Sequence, residues 1–232
     1  MTDTTVALVT GSGGGIGQAI CRALIAAGRR VVGVERRERA DPWPTVICDL
    51  TDLAALKPLV ERIEREHGIV DLLVNNAGIY RARTWDTASP DDFSAIFATN
   101  VAALFFLSQA VAQRLIAAKR KGAIVNLASI AGRAPAGNLV YGASKSAVIG
   151  MTNGLGKLLA PHGIRVNAVA PGVVDTAMAV EIPEATRTRH LAATPMGRMA
   201  RPDEIASVVA FLASEGASYL AGATVDANGG LY

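Results

Sequence analysis

The strongest constraint on the fold is an alternation along nearly the whole chain: short, continuous apolar runs separated by segments whose apolar residues recur at helical spacing. The runs are VALVT at Val6, RVVGV at Arg30, TVIC at Thr45, DLLVN at Asp71, GAIVNLA at Gly122, IRVNAVA at Ile164 and ATVD at Ala223. They do not alternate polar with apolar residues, so they read as parallel strands covered on both faces. Helical patterns lie between most of them, over Gly15–Ala27, Asp52–His67, Pro90–Ala118, Tyr141–Ala160 and Pro202–Ala213. This order predicts an α/β fold, a Rossmann-type doubly wound parallel sheet with helices on both faces. The 232 residues, half of them hydrophobic, contain no repeat or linker-like stretch. A single domain over 1–232 is therefore expected, with a flexible substrate loop at about 173–200.

Composition narrows the function classes. MTDTTVALVTG passes straight into a strand pattern, and no run reads as a signal peptide or a bilayer span, so a cytoplasmic protein without a membrane partner is expected. Cys21 and Cys48, in apolar surroundings, read as reduced core residues. His67, His162 and His190 have no ligand spacing, so no metal site is expected. A net charge of +3 gives no argument for nucleic acid, and Lys119 to Lys121 read as a solvated cap on a helix C-terminus.

In an open parallel sheet, ligands bind outside the C-terminal ends of the strands. There the first strand runs into VTGSGGGIGQAI, a loop of Gly11, Ser12, Gly13, Gly14, Gly15, Ile16 and Gly17 that leads into a helix. Glycines allow the tight turn and the close approach of a pyrophosphate, which the N–H groups of the helix N-terminus then hold. Glu35 follows the second strand, eighteen residues beyond Gly17. An acid there accepts hydrogen bonds from the adenosine ribose and repels a 2′-phosphate, which favours NAD over NADP. Arg36 beside it could do the opposite if it turned inward. Only ten residues, Glu35 to Pro44, join strands two and three, and Pro42 and Pro44 forbid a regular helix. A compact loop is expected there, with charges beyond Arg36 in solvent and the adenine side less covered.

YGASK places Tyr141 and Lys145 four apart on one helix face. A phenol with an ordinary pKa of about 10 is a poor proton donor or base near neutrality, and an adjacent ammonium favours its ionised form. Ser129, twelve residues earlier at a strand end, offers a hydroxyl to the same substrate oxygen. TGSGGGIG, CDL, NNAG, TNV, NLAS, YGASK, RVNAVAPG, RPDEIA and DANGG follow in that order, and with them the chain from Val6 to Gly230 resembles the short-chain dehydrogenase/reductase family. The resemblance implies Tyr141 as catalytic acid/base and Ser129 as the group that positions the substrate oxygen. It implies that Lys145 lowers the tyrosine pKa and holds the nicotinamide ribose, and that Asn100 supports a water-linked proton relay. It also implies cofactor contacts from Asp49 and Leu50 at the adenine, and from Asn76, Ala77 and Gly78 along the ribose. Pro171, Gly172, Val174 and Thr176 are implied at the nicotinamide end. NADP-preferring members often carry a basic residue before the second glycine of the loop; Gly14 stands there, a second indication of NAD.

The same resemblance implies hydride transfer between NAD(H) and a small secondary alcohol or ketone, by a homotetramer or homodimer. The separation of Ser129 from Tyr141 is one residue shorter than the family's usual spacing, so IAGRAPAGNLV takes a tighter path over the substrate pocket. Substrate selectivity is expected in 130–140, 80–84 and 173–200, which carry Arg81, Arg83, Arg133, Arg187, Arg189 and Arg198. One or two could clamp an anionic group; the alternative is that they solvate a lid. GIYR, the short crossover and MGRMARPDEIA resemble dihydrodiol dehydrogenases acting on an aromatic acid. Other readings are an NADPH-dependent ketone or 3-oxoacyl reductase and, in a different class, a non-catalytic nucleotide sensor.

Overall fold

The computed structural model describes residues 5–134 and 137–232; the opening MTDT and, within IAGRAPAGNLV, Pro135 and Ala136 lie outside the described residues. Seven parallel strands form one sheet in the order β3-β2-β1-β4-β5-β6-β7. They are β1 (Thr5–Thr10), β2 (Val31–Glu35), β3 (Thr45–Ile47), β4 (Ile69–Asn75), β5 (Gly122–Leu127), β6 (Ile164–Pro171) and β7 (Thr224–Ala227). The order reverses between β1 and β4, and a crevice opens there beyond the strand ends.

The continuous apolar runs follow from the two-sided burial. In β1, Ala7 and Val9 point to one layer and Val6 and Leu8 to the other. The first layer is built from α1 (Gly15–Ala26) and α8 (Pro202–Ala213), with Ile20, Leu24, Ile205 and Val209 fully buried against the sheet. The second uses α2 (Leu56–His67) and the helical stretch from Pro90 to Ala117, through Leu56, Ile63, Leu107 and Leu115. The central strands thus bury both faces, and polar alternation there would leave buried groups to be paired one by one.

The crossover from β2 to β3 has no helix, as its prolines require. Trp43 fills the gap: it is buried and joins Cys21, Leu24 and Val31 in the α1-side core. Cys21 is a free, buried core residue as expected. Cys48 is free but half-buried, because β3 ends at Ile47 and leaves it on the turn beyond.

The expected helix over Pro90–Ala118 is divided. α3 (Pro90–Phe97) starts with a capping box between Ser89 and Asp92, a π-helical turn covers Ala98–Ala103, and α4 (Leu104–Ala117) continues to the end. By length and composition the 28 residues Pro90–Ala117 would suffice to cross a membrane, contrary to the expectation that no such run exists. Its apolarity has a local cause: more than half of its most apolar window is buried in the fold.

A chain of buried side chains fixes the neighbouring helix, α5 (Leu139–Leu159), to the sheet. Asn75 Nδ2 donates to Asn126 Oδ1 at 2.9 Å and to Ser108 Oγ at 3.0 Å. Asn126 Nδ2 donates in turn to Thr152 Oγ1 at 2.9 Å. These bonds tie β4, β5, α4 and α5 together below the strand ends, where an unpaired amide would be costly.

Candidate active site

The loop after β1 opens into a cleft of about 850 Å³. Gly11 has φ of +63°, a conformation glycine adopts without penalty. A Cβ on Gly17 would collide with the Gly11 carbonyl oxygen, so the turn closes only without one. Thr10 Oγ1 accepts from the N–H groups of Asn76 and Ala77 at 3.1 and 3.0 Å, and Asn76 Nδ2 donates to Gly11 O at 2.9 Å. The NNAG segment after β4 is thereby held against the glycine loop. Gly14 caps α1 with no side-chain acceptor and no acid in the first turn, so that helix end has positive potential and no carboxylate of its own. A bare backbone turn, a free helix N-terminus and a wide cleft beside them suit a dinucleotide pyrophosphate.

Most of the expected cofactor residues line this cleft: Gly11, Gly13, Gly14, Gly15, Ile16, Gly17, Glu35, Asn76, Ala77, Gly78, Pro171, Gly172, Val174 and Thr176, with Tyr141 and Lys145. Four do not. Ser12 is fully buried, with Oγ turned down onto Gly33 and away from the cleft. Leu50 lines a separate small cavity. Asp49 uses its carboxylate on Thr51, accepting from N at 2.9 Å and Oγ1 at 2.7 Å. Those bonds lower its pKa, and the exposed Arg36 acts on Asp49 from nearby instead of turning into the cleft.

The arginine that does reach the cleft is Arg39, which lies against Gly13. Its Nε is 3.8 Å from Asp41, whose side chain is 5 % exposed and accepts from Thr45 Oγ1 at 3.3 Å. The charges from Arg37 to Arg39 are exposed as expected, and Arg39 alone among them also lines the cleft, on a loop held by Asp41 and by the neighbouring buried Trp43. Glu35 accepts from the Gly13 N–H at 2.5 Å, which places its carboxylate at the edge of the glycine loop.

On the other wall, Ser129 follows the end of β5, and Tyr141 and Lys145 project from the first two turns of α5. α5 begins two residues before Tyr141 because Asn138 caps it, accepting from the Tyr141 N–H at 3.1 Å. Ser129 Oγ accepts from the Ala131 N–H at 3.1 Å. Burial pushes the Tyr141 phenol up to about 12, the neighbouring Ser129 hydroxyl opposes the rise, and Tyr80 adds to it. The Tyr80 ring meets Tyr141 edge-on at 5.1 Å between centroids. Lys145 is buried, donates to Leu127 O at 2.7 Å and has Nζ 5.8 Å from the centre of the Tyr141 ring. Burial lowers its ammonium to about 8. In this arrangement the Lys145 ammonium faces the Leu127 carbonyl, and desolvation dominates the shifts of both groups.

Asn100 sits behind the cleft wall, fully buried in the π-helical turn. Its Oδ1 accepts from Ile79 N at 2.8 Å, and its Nδ2 donates to Ile79 O at 3.0 Å and Ser144 Oγ at 3.1 Å. A π turn inserts one residue into a helix and is frequent at functional sites. Here it aims the amide at the segment beside Gly78, whose Cα adjoins both Asn100 and Lys145.

Residues 11–232 match the family model described as Enoyl-(Acyl carrier protein) reductase. A solved short-chain dehydrogenase/reductase of Serratia marcescens, in mutant form, is 32% identical with a TM-score of 0.89, over 98% of this chain and 97% of that one. The chain belongs to the short-chain dehydrogenase/reductase family. Its curated relatives include the 3-oxoacyl-[acyl-carrier-protein] reductase FabG of Salmonella typhimurium, 39% identical over 98% of this chain and 97% of the relative. Nodulation protein G of Azospirillum brasilense is also 39% identical, over 97% of each chain. As a short-chain dehydrogenase/reductase the protein is an oxidoreductase that acts on a carbinol or keto group with a nicotinamide cofactor.

The expected substrate stretch is not without secondary structure. Residues 173–200 contain α6 (Ala177–Val180) and α7 (Glu184–Ala193), and Val174 bridges to Ala200. Sequence reasoning did not single out Arg39, Tyr80, Asn138 or Ser144. Asn138 alone had a usable signal, an amide side chain just before a helical pattern. The others depend on how loops fold back.

Proposed function

We propose that the protein interconverts a ketone and a secondary alcohol with Tyr141 as the proton donor and acceptor, and that 3-oxoacyl compounds are the substrate class to test first. The observation that carries this reading is the meeting of Ser129, Tyr141 and Lys145 on one wall of the cleft whose other wall is the glycine loop. The curated relatives named as 3-oxoacyl reductases support the choice of substrate class.

The glycine loop and the N-terminus of α1 would hold the cofactor's pyrophosphate, Asn76 to Gly78 would adjoin its ribose, and Gly172 to Thr176 its nicotinamide end. When bound, the nicotinamide supplies or accepts the hydride. In the reducing direction the phenol of Tyr141, kept protonated by its burial, gives its proton to the carbonyl oxygen as that oxygen gains charge. Ser129 Oγ holds the same oxygen in place. Lys145 stabilises the phenolate left behind, and Asn100 fixes the Ile79 backbone at the start of the path that returns a proton. Oxidation runs the same exchanges backwards.

NAD is the preferred cofactor in this reading. Supporting this is Glu35, which accepts from the Gly13 N–H at the edge of the glycine loop; a carboxylate there would accept from the adenosine ribose hydroxyls and repel a 2′-phosphate. Arg39 supports the competing NADP reading, since its guanidinium lies over the same glycine. Initial rates with NADH and NADPH on a 3-oxoacyl thioester, for wild type and Glu35→Ala, test both points. Turnover with higher kcat/KM for NADH, and roughly a tenfold swing toward NADPH in the variant, is expected from the loss of a charged hydrogen-bond acceptor. No ketone reduction sinks the activity. A wild type that prefers NADPH assigns selection to Arg39.

A further inference from the structure

The sequence offers six arginines around the substrate side, and the structure engages five. Arg81 Nη1 and Arg83 Nε share the Asp92 carboxylate at 2.7 and 3.1 Å. Arg133 makes a two-pronged pair with Asp226 at 2.9 and 3.1 Å. Arg187 donates to Ala179 O at 3.2 Å, and Arg198 pairs with Glu204 through two bonds of 2.8 Å. Arg189 makes no hydrogen bond or ion pair among the described residues, and its side chain lines the cleft beside Thr186 and His190.

The charges around it are lopsided. Arg83 also lines the cleft, and its wall places two guanidinium groups on the one carboxylate of Asp92. Glu35, held at the glycine loop, is the only acidic side chain among the described residues lining the cleft. Glu181 and Glu184 belong to the same lid but make no pair with Arg189. Burial and the neighbouring Arg189 push the His190 imidazole down, so it is neutral near pH 7 and cannot share the role. Arg189 is exposed at the edge of the cleft, so this stretch presents one planar cation, unpaired among the described residues, where an anion on a bound substrate could reach it.

We infer that the substrate carries an anionic oxygen group, a carboxylate or a phosphate, distant from its reacting carbonyl, and that Arg189 receives it. The inference rests on the proposed ketone reduction and names a substrate class for that site. A guanidinium fork pairs with either oxyanion through two parallel N–H bonds, so the same contact also orients the chain that leads to the carbonyl.

Three ketones of matched length test it, ending in a carboxylate, a phosphate ester or a neutral methyl ester. Each is measured by steady-state rates and by calorimetric binding to the cofactor-loaded protein, for wild type, Arg189→Ala and, as control, Arg187→Ala. At least one anionic ketone should have a KM and Kd lower than the ester by about 10- to 100-fold, the range of a charge-assisted pair. Whichever anion shows the gap identifies the source. Arg189→Ala should close the gap with kcat for the ester unchanged, and Arg187→Ala should leave it open. Equal binding of all three ketones by wild type, or a gap that survives Arg189→Ala, would overturn the inference. Absence of turnover with all three counts against the proposed activity, while calorimetry still decides whether Arg189 selects the anion.

Discussion

Tyr141 and Lys145 lie on adjacent turns of one helix, and burial moves them apart, the phenol up to about 12 and the ammonium down to about 8. Each shift penalises the charged form, so near neutrality the phenol is protonated and Lys145 is cationic. That pair of states leaves a proton on Tyr141 for a ketone, although the raised pKa makes the phenol a weaker acid than an ordinary one. Lys145 has a folded pKa below its ordinary 10.5, so its buried charge destabilises the fold most below about 8, and the cost lessens as pH rises toward 10.5. Tyr141 acts oppositely, with a stabilising contribution that is lost as pH rises from its ordinary 10 through about 12. For activity, the consequence is a basic limb: kcat/KM for ketone reduction should stay level on the acid side and fall as pH passes about 8, where Lys145 loses its proton. A profile that stays level to about pH 10, the range of an unperturbed lysine or tyrosine, contradicts this assignment.

At the scale of elements, the parts legible in the sequence are those in which local pattern and tertiary demand agree. Strands such as Val6–Val9 are apolar at every position because both layers need them, and that reads directly from composition. The glycine loop reads well for the same reason, since only glycine meets its backbone demand at Gly11 and Gly17. Tyr141, Ser129 and Lys145 were recoverable from spacing at strand and helix ends. The π turn at Ala98–Ala103 was not, because the stretch around it is apolar at so many positions that the phase shift from one inserted residue does not show. Arg39 was hidden for another reason: charge in a loop specifies exposure, whereas the buried Asp41 and Trp43 beside it decide where the loop goes. The order within 173–200 escaped because α6 is a single turn and α7 has no buried residue to set a helical pattern.

At the scale of the whole molecule, two helical layers enclose the sheet, but the α4 and α5 side retains apolar surface. Phe93, Phe106 and Leu158 are 49%, 40% and 70% exposed, and Phe93 stacks on Phe97 with ring centroids 4.5 Å apart. Surface of this kind suits packing against another copy. By resemblance we propose a homotetramer, for which light scattering should return about four times the 24.0 kDa chain mass. A monodisperse monomer rules that out. In the proposed reaction the sheet and the cleft present one phenol, that of Tyr141, to the substrate carbonyl. The most direct measurement is therefore ketone reduction by Tyr141→Phe beside wild type, with cofactor affinity and Tm recorded on the same samples. A fall in kcat of about 10²- to 10⁴-fold, the range expected for general acid catalysis, with affinity and Tm retained, is predicted. Turnover at the wild-type rate would contradict the account.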